Sequence, residues 1–204
     1  MGAGLAALVR FARSVALAVV LFPVGFATHE VMHLLVYTVA GVRAALLVTH
    51  WNVGVGSVAI AGLHAAPLGP EGTGGVDAAV PFGLLVANNG LGPLLAALLL
   101  LVLWASVNRR SRTARTALLA NVAVLVFFSA IEMAYPLLEH LARIDADVLL
   151  LPAVNYGGAL LVLLAVAAVS AWRWPPGRRL GLAGSRGSGG SRGGRATGGR
   201  LPAP

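Results

Sequence analysis

Residues 26–35 read FATHEVMHLL, within a run (14–42) that is otherwise almost wholly apolar. A run of that length and character is a membrane-spanning helix, since a bilayer core takes about 20 apolar residues. Two imidazoles and a carboxylate are costly in such a segment, because hydrocarbon supplies no water to solvate them. On a helix His29 and His33 lie one turn apart on one face, and Glu30 borders that face. A divalent cation answers the cost. The H-E-x-x-H spacing suits zinc: two neutral imidazoles ligate, and the glutamate serves as general base toward a water activated at the metal. The plainer alternative is that the three groups only hydrogen-bond to neighbouring helices. Their placement together in one apolar run favours the metal.

Working outward, the whole composition is that of a membrane protein. Of 204 residues 58% are hydrophobic and 11% charged, and the mean hydropathy is +0.84. Soluble domains carry about a quarter charged residues. Four segments reach spanning length: 14–42, 79–106, 116–138 and 148–172. The expected fold class is therefore all-α integral membrane, with about four transmembrane helices, a short β or re-entrant segment after the first, and a disordered C-terminal tail. The β expectation rests on VGVGSVAIAG (53–62), where small and β-branched residues alternate. The first span is long and carries Pro23, which predicts a kink or tilt. ANNGLGP (87–93) predicts an interruption of the second, facing the protein interior, because broken backbone at membrane depth needs cover. Two regions follow: a polytopic domain over 1–172 carrying the H-E-x-x-H helix, and a Gly/Arg-rich tail over 173–204.

The net charge of +8 comes from arginine, as the chain contains no lysine. Arg10 and Arg13 precede span one; Arg109, Arg110, Arg112 and Arg115 join spans two and three; the basic tail follows span four. With four spans these clusters share one side, so the positive-inside rule predicts cytoplasmic termini for a multi-pass protein of a bacterial inner membrane. The tail reads as solvated and attracted to anionic lipid, with no nucleic-acid partner expected. The N-terminal stretch has no small-residue cleavage site before His29 and reads as a retained first helix. The chain has no cysteine, which excludes disulfides, thiolate metal sites and a cysteine nucleophile.

Zinc requires a third protein ligand. Glu132, in FFSAIEMAYP, matches the depth of His29 and His33 if spans one and three run parallel. Asp145 and Asp147, in ARIDADVLLL, stand at the start of span four, where aspartate also serves as an ordinary helix cap. Asn88 and Asn89 are candidates for hydrogen-bonding a substrate strand or its oxyanion, or for satisfying backbone at the helix break. Tyr37, one turn beyond His33, reads as interfacial. His50, His64 and His140 lack partners at metal-ligand spacing and read as polar loop residues.

The order of these motifs resembles the site-2-type intramembrane metalloproteases, peptidase family M50. HEVMH (29–33) matches that family's zinc helix in full, NNGLGPLLAALL looks like its Gly-Pro turn at Gly92 and Pro93, and FFSAIEMAYPLLEHLARIDADVLLL is similar in outline to its third motif. In that last stretch Ser129 stands where the family has asparagine, and Ala146 follows Asp145 where it has glycine. The resemblance implies a zinc protease cleaving membrane-embedded proteins, with Asp145 as third ligand, whereas the depth argument points to Glu132 and Asp147 ranks third. It also implies zinc near the cytoplasmic face, opposite to the entry the arginines predict. The expected function is hydrolysis of peptide bonds in a membrane-protein substrate, a strand near residues 52–62 pairing with the unwound segment. The alternative is an M50-like pseudoprotease or zinc-binding membrane protein without hydrolytic activity.

Overall fold

The computed structural model describes residues 3–53, 58–68, 80–107, 111–144 and 152–173. Among them four helices are long and apolar enough to cross a membrane, and one two-stranded sheet follows the first. The order is α1 (Ala3–Val39), β1 (Ala44–Val53), β2 (Val58–Pro67), α2 (Phe82–Ser106), α3 (Arg112–Leu137) and α4 (Pro152–Arg173). A π-helical turn, Leu138–Ala142, extends α3. The tail beyond Arg173, and Asp145 and Asp147, lie outside the described residues.

Small side chains decide how the helices meet. The core is built from Ala18, Ala96, Ala97, Ala117, Ala120 and Ala159, with Leu100, Val124, Leu125, Phe128 and Leu163 between them. Alanine at a crossing lets backbones approach, which is the main source of helix cohesion where lipid removes the hydrophobic drive. Outward faces carry large apolar residues instead, among them Val20, Val24, Val102, Leu103 and Leu161. Asn121 ties α1 to α3 by donating from Nδ2 to the Ala18 carbonyl at 3.1 Å. Gly158 of α4 admits the Phe127 ring, which a Cβ there would strike. These contacts make α1 parallel to α3 and antiparallel to α2 and α4. Arg10, Arg13, Arg112 and Arg115 consequently share one end of the bundle. Glu132 lies about 25 Å along α3 from Arg115, at 1.5 Å per residue.

At its other end α1 stops by a Schellman turn. Gly41 takes φ 75°, its N–H donates to the Thr38 carbonyl, and the Val42 N–H donates to that of Tyr37. Glycine is needed there because a Cβ is strained at positive φ. The chain leaves directly into an antiparallel hairpin whose register pairs Ala44 with Pro67 and Val53 with Val58. Leu68 donates to the Arg43 carbonyl, so alternate β2 residues on that phase face β1. Ala65, on the opposite phase, points its N–H away from β1 toward α1.

The interruption expected at 87–93 is absent: α2 is one helix from Phe82 to Ser106. Pro93 removes only the hydrogen bond to the Asn89 carbonyl, and the packed neighbours on both sides hold the helix. Its glycines serve clearance instead. A Cβ at Gly90 would lie 2.5 Å from Met133 Sδ, and one at Gly92 would lie 2.5 Å from His33 Nδ1. Pro23 lies inside α1, which runs as one helix from Ala3 to Val39. The hairpin was anticipated as a short segment, and both of its strands are ten residues long.

Candidate metal centre

His29 and His33 point from the inward face of α1, and Glu132 reaches them from α3. His33 Nε2 lies 2.6 Å from His29 Nε2 and 3.1 Å from Glu132 Oε2; His29 Nε2 lies 3.3 Å from that same oxygen. The three ligand atoms all fall within 4.8 Å of one another, with both histidines buried and Glu132 partly so. This group can hold a metal ion. Ligand bonds of about 2.0–2.1 Å at a tetrahedral angle separate donor atoms by about 3.3 Å; the two contacts to Glu132 match that edge, and the two imidazole nitrogens, 2.6 Å apart, would have to part to reach it. Two imidazole nitrogens and one carboxylate are also the donor set of known His2Glu catalytic zinc sites. Convergence of both Nε2 atoms leaves both Nδ1 atoms facing the protein, where they are buried without a hydrogen-bond partner.

Aromatic and amide groups fix the rings. Phe26 meets His29 edge-on, and Phe128 of α3 stacks against it with ring centroids 6.0 Å apart. The His33 ring occupies the space that Gly92 leaves open, and the buried Asn88 side chain adjoins both His33 and Tyr37. Asn88 Oδ1, like His33 Nδ1, is buried without a hydrogen-bond partner; a proton on Nδ1 shared with this oxygen would keep Nε2 free to ligate.

Glu132 is positioned through its own backbone. Pro136 cannot donate to the carbonyl four residues earlier, which is that of Glu132. Asn89 takes the freed carbonyl, donating from Nδ2 at 3.0 Å, and Ser129 Oγ returns a bond to the Gly90 carbonyl at 3.0 Å. These two reciprocal bonds lock α2 to α3 beside the ligands. Asn89 thus satisfies backbone, though across to α3 and not within α2. A proline four residues after a candidate acidic ligand was the sequence signal for that freed carbonyl.

Glu30 sits beside the cluster, buried at 4% exposure. Its Oε2 accepts the Ala65 N–H at 2.9 Å, and its Oε1 lies 3.8 Å from His29 Nδ1. His64 Nδ1 approaches Glu30 Oε2 to 3.8 Å, with more than half of its side chain exposed. The expectation that His64 is a loop residue is therefore corrected: it lies on β2 near Glu30. Nothing in its local sequence indicated this, because hairpin and helix meet only in three dimensions. Tyr37 is buried at 3% exposure, two residues before the end of α1. His140 stacks on Phe82, ring centroids 4.1 Å apart. The side chain of His50 lies outside those described.

Fold and site together define a bundle of four spanning-length helices with a partly covered His-His-Glu cluster and a second, hairpin-bound glutamate. No protein-family model, curated protein or solved structure matches the chain.

Proposed function

We propose that the protein is a membrane-embedded zinc metalloprotease that cleaves peptide bonds of membrane-protein substrates, in the manner of the site-2-type family its motifs resemble. The observation that carries this is the arrival of Glu132 at the His29–His33 pair with Glu30 one residue from the first ligand. The inverted pattern of the bundle, with large apolar residues outside and histidine, glutamate and asparagine inside, supports a lipid environment. In this reading His29, His33 and Glu132 hold the metal, which supplies Lewis acidity to a peptide carbonyl and to the attacking water. Glu30 accepts the proton of that water and returns it to the leaving amine nitrogen. Helical amides are shielded, so the substrate unwinds locally, and the hairpin offers a strand for the extended segment to pair with. With the arginine end cytoplasmic, the metal centre lies toward the opposite face.

The test is cleavage of a model transmembrane substrate by purified protein in detergent, wild type against Glu30→Gln. Loss of cleavage with zinc retained is expected; equal cleavage by the two removes the mechanism. One observation favours a second reading, a zinc-binding protein without hydrolysis: Glu30 is held by the Ala65 amide beneath the hairpin. Stoichiometric zinc that His33→Ala abolishes, together with no cleavage of any membrane substrate tried, selects that reading.

A further inference from the structure

The end of the bundle opposite the metal cluster carries a second concentration of polar groups. Arg10 and Ser14 of α1, Arg112, Thr113 and Thr116 of α3, and Ser170 of α4 line a small cleft. Its volume, about 20 Å³, admits one oxygen-sized group. Ser14 and Thr116 are each buried at 5% exposure, and neither hydroxyl is hydrogen-bonded within the protein among the described residues. Arg10 Nη2 is buried with no acceptor. The neighbouring Arg115 is in the same condition at Nε, its guanidinium stacked 4.1 Å from the Trp104 ring.

Backbone adds to this surplus of donors. The first turn of α3 opens at the cleft, and its N-cap, Ser111, makes no side-chain capping bond. Amides in that turn therefore have no partner within the helix, and the positive end of the helix dipole lies behind them. No acidic side chain among the described residues answers these charges: Glu30, Glu132 and Glu139 all lie toward the other end. The buried Arg10 Nη2 and the Ser14 and Thr116 hydroxyls face this cleft, with the exposed Arg112 at its mouth, and together they suit an anion with several acceptor oxygens. Phosphate meets that description, and guanidinium recognises it in fork geometry.

We propose that this cleft binds a phosphate group, one oxygen entering between Ser14, Thr116 and Ser170 while Arg10 and Arg112 bracket the others at the mouth. An anionic phospholipid headgroup and free phosphate present the same chemistry. The cleft is about one bilayer core thickness from the metal cluster along α3, so the headgroup is the source that fits four spanning helices. The inference does not depend on the peptidase reading.

The experiment uses the full-length protein. Native mass spectrometry from mixed phosphatidylglycerol and phosphatidylcholine nanodiscs reads lipid retention. Melting in detergent with inorganic phosphate, against chloride at equal ionic strength, reads the free ion. Each arginine near an anionic headgroup contributes about fivefold, so R10Q/R112Q should retain phosphatidylglycerol about 30-fold less well than wild type. Retention lost in that variant and undisturbed by millimolar phosphate supports the site with lipid as its source. A phosphate-specific rise in melting temperature that the variant loses supports it with the free ion as source. S14A/S170A keeps both arginines, so it tests the cleft even if R10Q/R112Q fails to fold, and a several-fold loss is expected. Equal phosphatidylglycerol retention by wild type and S14A/S170A, with no phosphate-specific shift, overturns the proposal. Zinc content, unchanged in every variant, separates this result from any failure of the metal centre.

Discussion

Gly92→Ala probes how the metal cluster is held without touching a ligand. The added Cβ would stand 2.5 Å from His33 Nδ1, 2.6 Å from Cε1 and 2.8 Å from Cγ, whereas ordinary contact begins at 3.4 Å. About 0.9 Å of clearance must be found. The ring cannot simply slide away, because its Nε2 lies 2.6 Å from His29 Nε2 and 3.1 Å from Glu132 Oε2. Either α1 and α2 separate or the imidazole rotates out of the cluster. Overpacking of this kind costs about 1–3 kcal/mol. Displacing a ligand's support lowers metal affinity about 10–100-fold. Gly83→Ala is the control, since its Cβ meets nothing within 4 Å on the same helix and should be neutral or stabilising by up to about 1 kcal/mol. Zinc affinity by competition with a chromophoric chelator, and melting in detergent, read both effects. If Gly92→Ala binds zinc as tightly as wild type and melts with Gly83→Ala, the close approach of α2 to His33 does not hold the site.

Three further outcomes follow from the same contacts. Glu132→Gln should lower zinc affinity by more than about 100-fold, since the loss of mere supporting groups already costs about 10–100-fold, while Asp145→Asn leaves it unchanged; zinc stoichiometry after gel filtration checks this, and the reverse pattern makes Asp145 the third ligand. Asn121→Ala removes the bond to the Ala18 carbonyl and should destabilise by about 0.6 to 1.7 kcal/mol, the range for polar bonds between membrane helices, read as a lower melting temperature with zinc content preserved. Stripping metal with dipicolinate should lower the melting temperature. Zinc restored to 100 times its dissociation constant should return about 2.7 kcal/mol, and a melting curve indifferent to zinc contradicts a metal bound by the folded state.

The pairing of His29 with His33 was legible because one helical turn is a local geometry that any sequence with that spacing produces. The four helices long and apolar enough to cross a membrane were legible for a similar reason: length and hydropathy belong to each segment by itself. Glu132 was reachable only as far as depth could be counted, and Asp145 competed with it because family resemblance and helix depth are different kinds of information. The continuity of α2 through GLGP was misread, since local propensity says that Gly and Pro weaken a helix, and packing against His33 and Met133 outweighs that preference.

By itself the sequence determined the four helices of spanning length, the one-turn spacing of His29 and His33, the hairpin region and the arginine-rich end. Tertiary structure alone decided that Glu132 completes the cluster 99 residues from His33, and that Asn89 takes the carbonyl freed by Pro136. It also decided that the Ala65 amide and His64 lie over Glu30. The physical reason is that these contacts depend on helix register and crossing. Alanine and glycine set both by permitting close approach, and small residues leave almost no periodic signal along a chain already rich in them.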